Sequence, residues 1–220
     1  MPLGLKNAPA IFSGIVVSAF KDFIHKFLEV YFDDWTVFGL VRHHNENLCM
    51  MLERCHQYQI ALNLRKCIFF APFGVLLGHV VSHDGIFVDP MKVEIILDLD
   101  PPTSVTQIRS TLGHMGYYRK FIRGYVEITA LMEKLLKKDA RFEWNENYEE
   151  SLDKLKKKMA TAAILIFLDW KKEFHVHVDA SSIALGIVLT QPGDGTINHP
   201  ITFANKKLSI EDKNYTTAKR

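Results

Sequence analysis

Two adjacent carboxylates, Asp33 and Asp34, separate the apolar runs Val30-Tyr31-Phe32 and Trp35-Thr36-Val37-Phe38. Like charges on neighbouring residues repel, so holding them at the tip of an apolar hairpin is costly unless water or a cation offsets the repulsion. Mg²⁺ does so with few carboxylate oxygens and completes its octahedron with water and phosphate, the arrangement of two-metal phosphoryl transfer. The dipeptide alone suits a solvated turn better, because Asp is common in turns. A second acidic candidate, Asp179, shares one strand face with His175 and His177. That trio raises a zinc site, although no further Cys or His stands at ligand spacing, which makes an unrelated zinc hydrolase the weakest reading.

These groups need elements to position them. From Asn7 the chain offers an N-cap residue, Pro9 in a first turn, and apolar Ile11, Ile15, Ala19, Phe23 and Phe27 at four-residue spacing, which predicts a helix buried on one face. The runs flanking Asp33 and Asp34 predict a β-hairpin. Leu48, Met51, Leu52 and Cys55 predict a helix over residues 44–59, and residues 75–88 a second hairpin turned at His83-Asp84-Gly85. Beyond Pro101-Pro102 the pattern becomes helical and more basic. Ser104 with Gln107 forms a capping box ahead of Ile108, Leu112 and Met115, while Leu152, Leu155 and Met159 line a helix whose other face carries Lys154, Lys156, Lys157 and Lys158. Three β runs follow at residues 174–179, 184–190 and 200–204, with a turn at Pro192-Gly193-Asp194-Gly195 and a second capping box at Ser209 and Asp212. The fold class is α+β.

Composition decides little beyond this. A chain of 220 residues with 48% in the hydrophobic set buries a real core, and a formal charge of +2 neither requires nor excludes a nucleic-acid partner. Cys49, Cys55 and Cys67 form no CxxC pair and are odd in number, so they read as buried thiols of a reducing compartment. The apolar stretch at residues 11–20 is too short to span a bilayer, so no membrane partner is expected.

Several segments, in order, resemble the polymerase of gypsy-type LTR retrotransposons. Residues 1–12, MPLGLKNAPAIF, are similar to the segment lining the nucleotide and template site, and Tyr31-Phe32-Asp33-Asp34 falls where the family has tyrosine, any residue, then two aspartates. Leu62-Asn63-Leu64-Arg65-Lys66-Cys67 and Leu77-Gly78-His79-Val80-Val81-Ser82 resemble the next two motifs, the latter gripping the primer end. Ile108-Arg109-Ser110-Thr111-Leu112-Gly113-His114 with Tyr117-Tyr118-Arg119-Lys120-Phe121-Ile122 is similar to the thumb. Val178-Asp179-Ala180-Ser181 and Ala184-Leu185-Gly186-Ile187-Val188-Leu189 look like the opening of a retroelement ribonuclease H. Departures are Leu3 for the usual Phe, Trp35 for a different apolar residue, and Ala130-Leu131 for Pro-Leu.

The resemblance implies the C-terminal part of a polymerase palm (residues 1–90), thumb and connection helices (91–170), and the first half of a ribonuclease H-like fold (171–220). It implies RNA-directed DNA polymerase with associated ribonuclease H, each using two Mg²⁺ ions, for which Mn²⁺ can substitute. Asp33, Asp34 and Asp179 would be the catalytic and metal-binding carboxylates. Tyr31, Gly4, Lys6, Lys66, Gly78, Arg109 and Arg119 would contact substrate, with Lys66 neutralising pyrophosphate and Arg109, Arg119, Lys120 and Arg123 facing the template and primer backbone. Partners would be RNA template, DNA primer, RNA–DNA hybrid, deoxynucleoside triphosphates and the rest of a Pol polyprotein, in a cytoplasmic particle. Met1 aligns inside a motif and the chain stops before the next ribonuclease H carboxylate, so a truncated copy is expected, the alternative being an inert nucleic-acid-binding remnant.

Overall fold

The computed structural model describes residues 6–138, 140–193 and 197–214. Two compact units divide the chain, Met1–Cys67 and Ile68–Arg220.

In the first unit, helix α1 (Ala8–Phe20) starts behind Asn7 with Pro9 in its first turn, though the Asn7 side chain makes no capping bond. The helix stops at Phe20, short of the Phe27 expected from the apolar spacing. His25 adopts a left-handed φ of +65°, turning the chain so that Phe27 and Leu28 fold back onto the core that holds Phe20. The buried stripe is therefore Val16, Ala19 and Phe20, while Ile11 and Ile15 are exposed. Strands β1 (Leu28–Tyr31) and β2 (Asp34–Val37) pair antiparallel, with Tyr31 opposite Asp34, and form a two-stranded sheet. Helix α2 (Val41–Gln57) contributes Met51 and Cys55 to the core and leaves Leu52 outside. Arg54 stitches the two helices: its Nη1 donates to the Ala19 carbonyl (2.6 Å), and its guanidinium lies 4.5 Å over the Phe23 ring. Carbonyls near a helix C-terminus lack intrahelical donors, and a cation there is favoured by the dipole as well.

The second unit opens with a meander, β3 (Phe73–Leu76), β4 (His79–Ser82) and β5 (Gly85–Val88), in place of a single hairpin. Asp89 caps α3 (Pro90–Leu97) by accepting from the Met91 amide, with Pro90 at the first helical position, where a missing N–H costs nothing. Helices α4 (Val105–Tyr117), α5 (Tyr125–Lys134) and α6 (Glu146–Ala160) follow, with a 3₁₀ turn Arg119–Phe121 between the first two. Ser104 Oγ accepts from the Gln107 amide as expected, but the Gln107 side chain returns to Thr103 rather than to Ser104. Ile108, Met115, Phe121, Met132, Leu152, Leu155 and Met159 close the core, each such side chain worth about 1.5–3 kcal/mol on burial. Lys156, within the basic face of α6, donates to the carbonyls of Leu97 and Leu99 and so ties α6 to the end of α3.

Strands β6 (His175–Ala180), β7 (Ala184–Pro192) and β8 (Asn198–Lys207) form an antiparallel sheet in sequence order, with a bulge at Leu189 and Thr190. The expected turn at residues 192–195 lies partly outside the described residues. The Ser209–Asp212 box is reciprocal at the head of α7 (Ile210–Asn214), each side chain accepting the other's amide at 3.1 Å. Of the cysteines only Cys55 is buried, which pushes its thiol up in pKa, while Cys49 is exposed and Cys67 half-buried. Among the described residues no helix is long and apolar enough to cross a membrane.

Candidate active-site carboxylates and nucleic-acid interface

A two-residue turn, Phe32 and Asp33, joins β1 to β2 and carries the carboxylate pair at its tip. Phe32 has a φ of +52°, which a bulky residue adopts only under strain of roughly 1–2 kcal/mol. Trp35 offsets part of that cost: its Nε1 donates to the Phe32 carbonyl (3.2 Å), and its ring meets Phe20 edge to face at 5.0 Å. The residue that departs from the resembled pattern thus fastens the tip to the core. Asp33 and Asp34 are both exposed, and among the described residues neither forms an ion pair. Two exposed carboxylates are hard oxygen donors that leave room for water and phosphate, a donor set that suits Mg²⁺. Tyr31 stands beside them, 53% exposed, with its ring perpendicular to Phe32.

Lys6 and Lys66 are exposed in the same unit. Lys66 lies in a turn organised by Asn63, whose carbonyl accepts from the Lys66 amide at 2.9 Å. Gly4 falls outside the described residues.

In the second unit Asp179 is exposed on the edge strand β6, opposite Gly186 of β7. The histidines of the same strand are engaged elsewhere. His175 Nδ1 lies 3.0 Å from Asn198 Nδ2, and His177 Nε2 3.3 Å from Thr190 Oγ1. Among the described residues no three His, Cys, Asp or Glu side chains gather as a metal site.

Gly78 and Leu77 make the turn between β3 and β4, with φ of +71° and +50°. The Tyr117 hydroxyl donates to the Leu77 carbonyl (2.6 Å), and the Tyr118 hydroxyl to the Gly78 carbonyl (3.0 Å). Arg109 and Arg119 come together at one cleft of about 640 Å³, joined there by Lys137 and Lys207. Four cations and one carboxylate, Glu133, thus line the cleft, and Lys207 bridges to Glu133. Gly113 and Gly116 expose helix backbone in the wall. Tyr125 lines the same cleft, donates to the Leu112 carbonyl and stays neutral, its pKa pushed up to about 12 by burial and by Glu133. Such a cleft suits backbone phosphates. Lys120 turns instead toward Phe121, its ammonium 5.3 Å from the ring, and burial lowers its pKa. Arg123 is exposed.

Sequence reasoning missed Lys137, Lys207 and the tyrosine contacts to the turn. The adjacent Tyr117 and Tyr118 beside a basic pair were a visible signal for the last. Nothing local distinguishes Lys207 from the other lysines near it.

Residues 1–114 match the family model described as reverse transcriptase (RNA-dependent DNA polymerase), and residues 144–220 match the RNase H-like domain found in reverse transcriptase. The Retrovirus-related Pol polyprotein from transposon 297 of Drosophila melanogaster is 35% identical over 222 residues, covering 100% of this chain and 20% of that polyprotein. The polyprotein from transposon gypsy of the same organism is 30% identical over 237 residues, again covering 100% of this chain and 22% of its own length. The chain therefore spans about a fifth of these curated relatives. Among solved structures, the foamy viral protease-reverse transcriptase in complex with dsDNA superposes with a TM-score of 0.87 at 20% identity, over 100% of this chain and 46% of that one. At that identity the likeness speaks for the fold.

Proposed function

The chain belongs to the reverse transcriptase (RNA-dependent DNA polymerase) family, and from that premise we propose that it works within a retrotransposon Pol polyprotein, copying RNA into DNA and cleaving the RNA of the resulting hybrid. The observation that carries this reading is the exposed Asp33 and Asp34 pair on a strained hairpin tip in a chain of this family. Residues 1–90 serve as palm, 91–170 as thumb and connection, and 171–220 as the opening of the ribonuclease H-like domain. Asp33 is the leading metal ligand with Asp34 beside it, and Asp179 has the matching role in the second domain. Magnesium, or manganese in its place, supplies Lewis-acid stabilisation and an activated nucleophile when bound.

The chain's own residues do the positioning. Tyr31 packs the primer terminus against the hairpin, Gly4 permits close backbone approach, and Lys6 and Lys66 offset triphosphate and pyrophosphate charge. Gly78 lies in the turn that grips the primer end. Arg109, Arg119, Lys137 and Lys207 hold backbone phosphates of the template and primer, a sequence-independent contact that weakens with salt. The setting is the element's cytoplasmic particle, with deoxynucleoside triphosphates as the substrate consumed.

The test is primer extension on an RNA template by a polypeptide carrying these residues, wild type against Asp33→Asn. We expect the substitution to cost on the order of a hundredfold or more in rate, the scale seen when one oriented transition-state group is lost, with duplex affinity nearly unchanged. Equal extension by both proteins overturns the assignment of Asp33. A second reading, nucleic-acid binding without catalysis, is favoured by the cationic cleft, which is built wholly from described residues. Salt-sensitive duplex binding indifferent to magnesium and to Asp33→Asn, with no extension by either protein, would select it.

A further inference from the structure

Three side chains converge on the Leu77–Gly78 turn. The Leu77 carbonyl accepts from both Tyr117 Oη (2.6 Å) and His79 Nδ1 (2.9 Å), and the Gly78 carbonyl accepts from Tyr118 Oη (3.0 Å). Both turn residues hold positive φ, which leucine adopts reluctantly, so the turn is kept in a costly backbone form by groups outside it. Tyr117 ends α4 and Tyr118 follows it as the C-cap residue, with its ring in the main core.

His79 is the pivot of the arrangement. Its ring is 7% exposed and packs within 5.2–5.5 Å of Tyr117, Tyr118 and Phe121, while its Nε2 is buried with no hydrogen-bond partner. With a carbonyl at Nδ1, the proton must sit on Nδ1 and the orphan Nε2 is a bare lone pair. Burial, with Lys120 adding to it, lowers the pKa and keeps the ring neutral. A protonated ring would aim a second N–H where no acceptor stands. An orphaned buried nitrogen costs stability, so the ring is held here for the bond at Nδ1 and for its three aromatic contacts.

We propose that His79 is a positioning residue which, with Tyr117 and Tyr118, locks the Leu77–Gly78 turn to the end of α4, so that the turn and the thumb helix move as one body. The consequence for the primer end rests on the reading above that this turn grips it. A strand seated on the cationic cleft of α4 and a 3′ end seated on the turn are then held in fixed register.

The test uses the full chain carrying Tyr117→Phe and Tyr118→Phe together, which keeps both rings and removes both hydroxyls, with His79→Phe as a second variant. Amide hydrogen exchange at Gly78 and His79 should accelerate roughly five- to fiftyfold in the double variant, the loss expected from one or two hydrogen bonds, with the amides of α6 unchanged. Unchanged exchange at the turn overturns the lock. The long-range proton–nitrogen spectrum at pH 7 should show His79 protonated at Nδ1 and bare at Nε2, and the opposite tautomer overturns the assignment. In the functional arm, the wild-type chain should prefer a recessed primer-template over a blunt duplex, and both variants should lose that preference while keeping their affinity for blunt duplex. Retained preference despite faster exchange reduces the contacts to a structural role and sinks the coupling. If the wild-type chain binds neither duplex, the nucleic-acid reading fails, and the exchange and tautomer results alone decide the lock.

Discussion

Two hairpin turns of two residues each carry groups of interest, and they differ in how far along the chain their hydrogen-bond partners lie. The Phe32–Asp33 turn is fastened from within its own hairpin, by the indole of Trp35 three residues away. The Leu77–Gly78 turn takes one bond from its own hairpin, at His79 Nδ1, and two from outside, from hydroxyls forty residues along the chain. Both contain a bulky residue at positive φ, Phe32 in one and Leu77 in the other. Local fastening leaves Asp33 and Asp34 open to solvent and to any ligand. Tertiary fastening leaves Leu77 exposed as well but ties its turn to the end of a helix. A tip meant to present charge needs few neighbours, whereas a turn meant to hold position needs many.

The largest expected effect breaks the support of the second turn. A Cβ on Gly85, whose φ is +135°, would lie 2.3 Å from the Leu165 carbonyl oxygen that accepts from the Ile86 amide. Gly85→Ala should cost about 3 kcal/mol in urea unfolding of the second unit, combining steric overlap with backbone strain. A loss below about 1 kcal/mol would mean that the meander is not pinned at Leu165. Gly78→Ala acts at the turn itself, where the φ is +71° and the Tyr118 hydroxyl stands 3.0 Å from the added methyl. We expect about 1–2 kcal/mol, and a clear reduction of that cost in a Tyr118→Phe background.

In the first turn the effects are smaller and of both signs. Trp35→Phe keeps an aromatic ring against Phe20 but removes the donor to Phe32, and should cost about 1 kcal/mol in the first unit alone. Phe32→Gly should stabilise by up to about 1 kcal/mol, since the exposed ring contributes little burial and glycine tolerates the φ of +52°. Destabilisation instead would show that the Tyr31–Phe32 ring contact carries the tip. The smallest effect is a pH dependence. His79 has a folded pKa below its ordinary 6.5, so the unfolded chain takes up the proton first. Its contribution is full above pH 6.5 and is lost as pH falls from there through the folded value. Urea midpoints measured across that window should decline more in wild type than in His79→Phe.

Much of the fold was legible because backbone periodicity writes it locally. The hairpin around Asp33, the caps at Ser104 and Ser209, and the Leu152, Leu155, Met159 stripe all depend on residues within about ten positions of one another. The first helix shows where that reasoning fails. Ile11, Ile15, Ala19, Phe23 and Phe27 keep perfect four-residue spacing, yet the helix ends at Phe20, because His25 in the left-handed region lets Phe27 and Leu28 reach the core from the other side. The same limit applies to Lys156, which sequence placed on a basic face and which caps the end of α3.

By itself, then, the sequence determined the element types, their order, the acidic tip with its apolar flanks, and the resemblance that pointed to a polymerase. Only the tertiary structure decided which lysines join Arg109 and Arg119, and which hydroxyls hold the Leu77–Gly78 turn. The reason is physical. A helix or strand repeats at 3.6 or 2 residues and leaves that period in the sequence. A contact between residues 40 or 74 positions apart, such as Tyr118 with Gly78 or Lys207 with Glu133, follows no period and exists only once the core has brought its elements together.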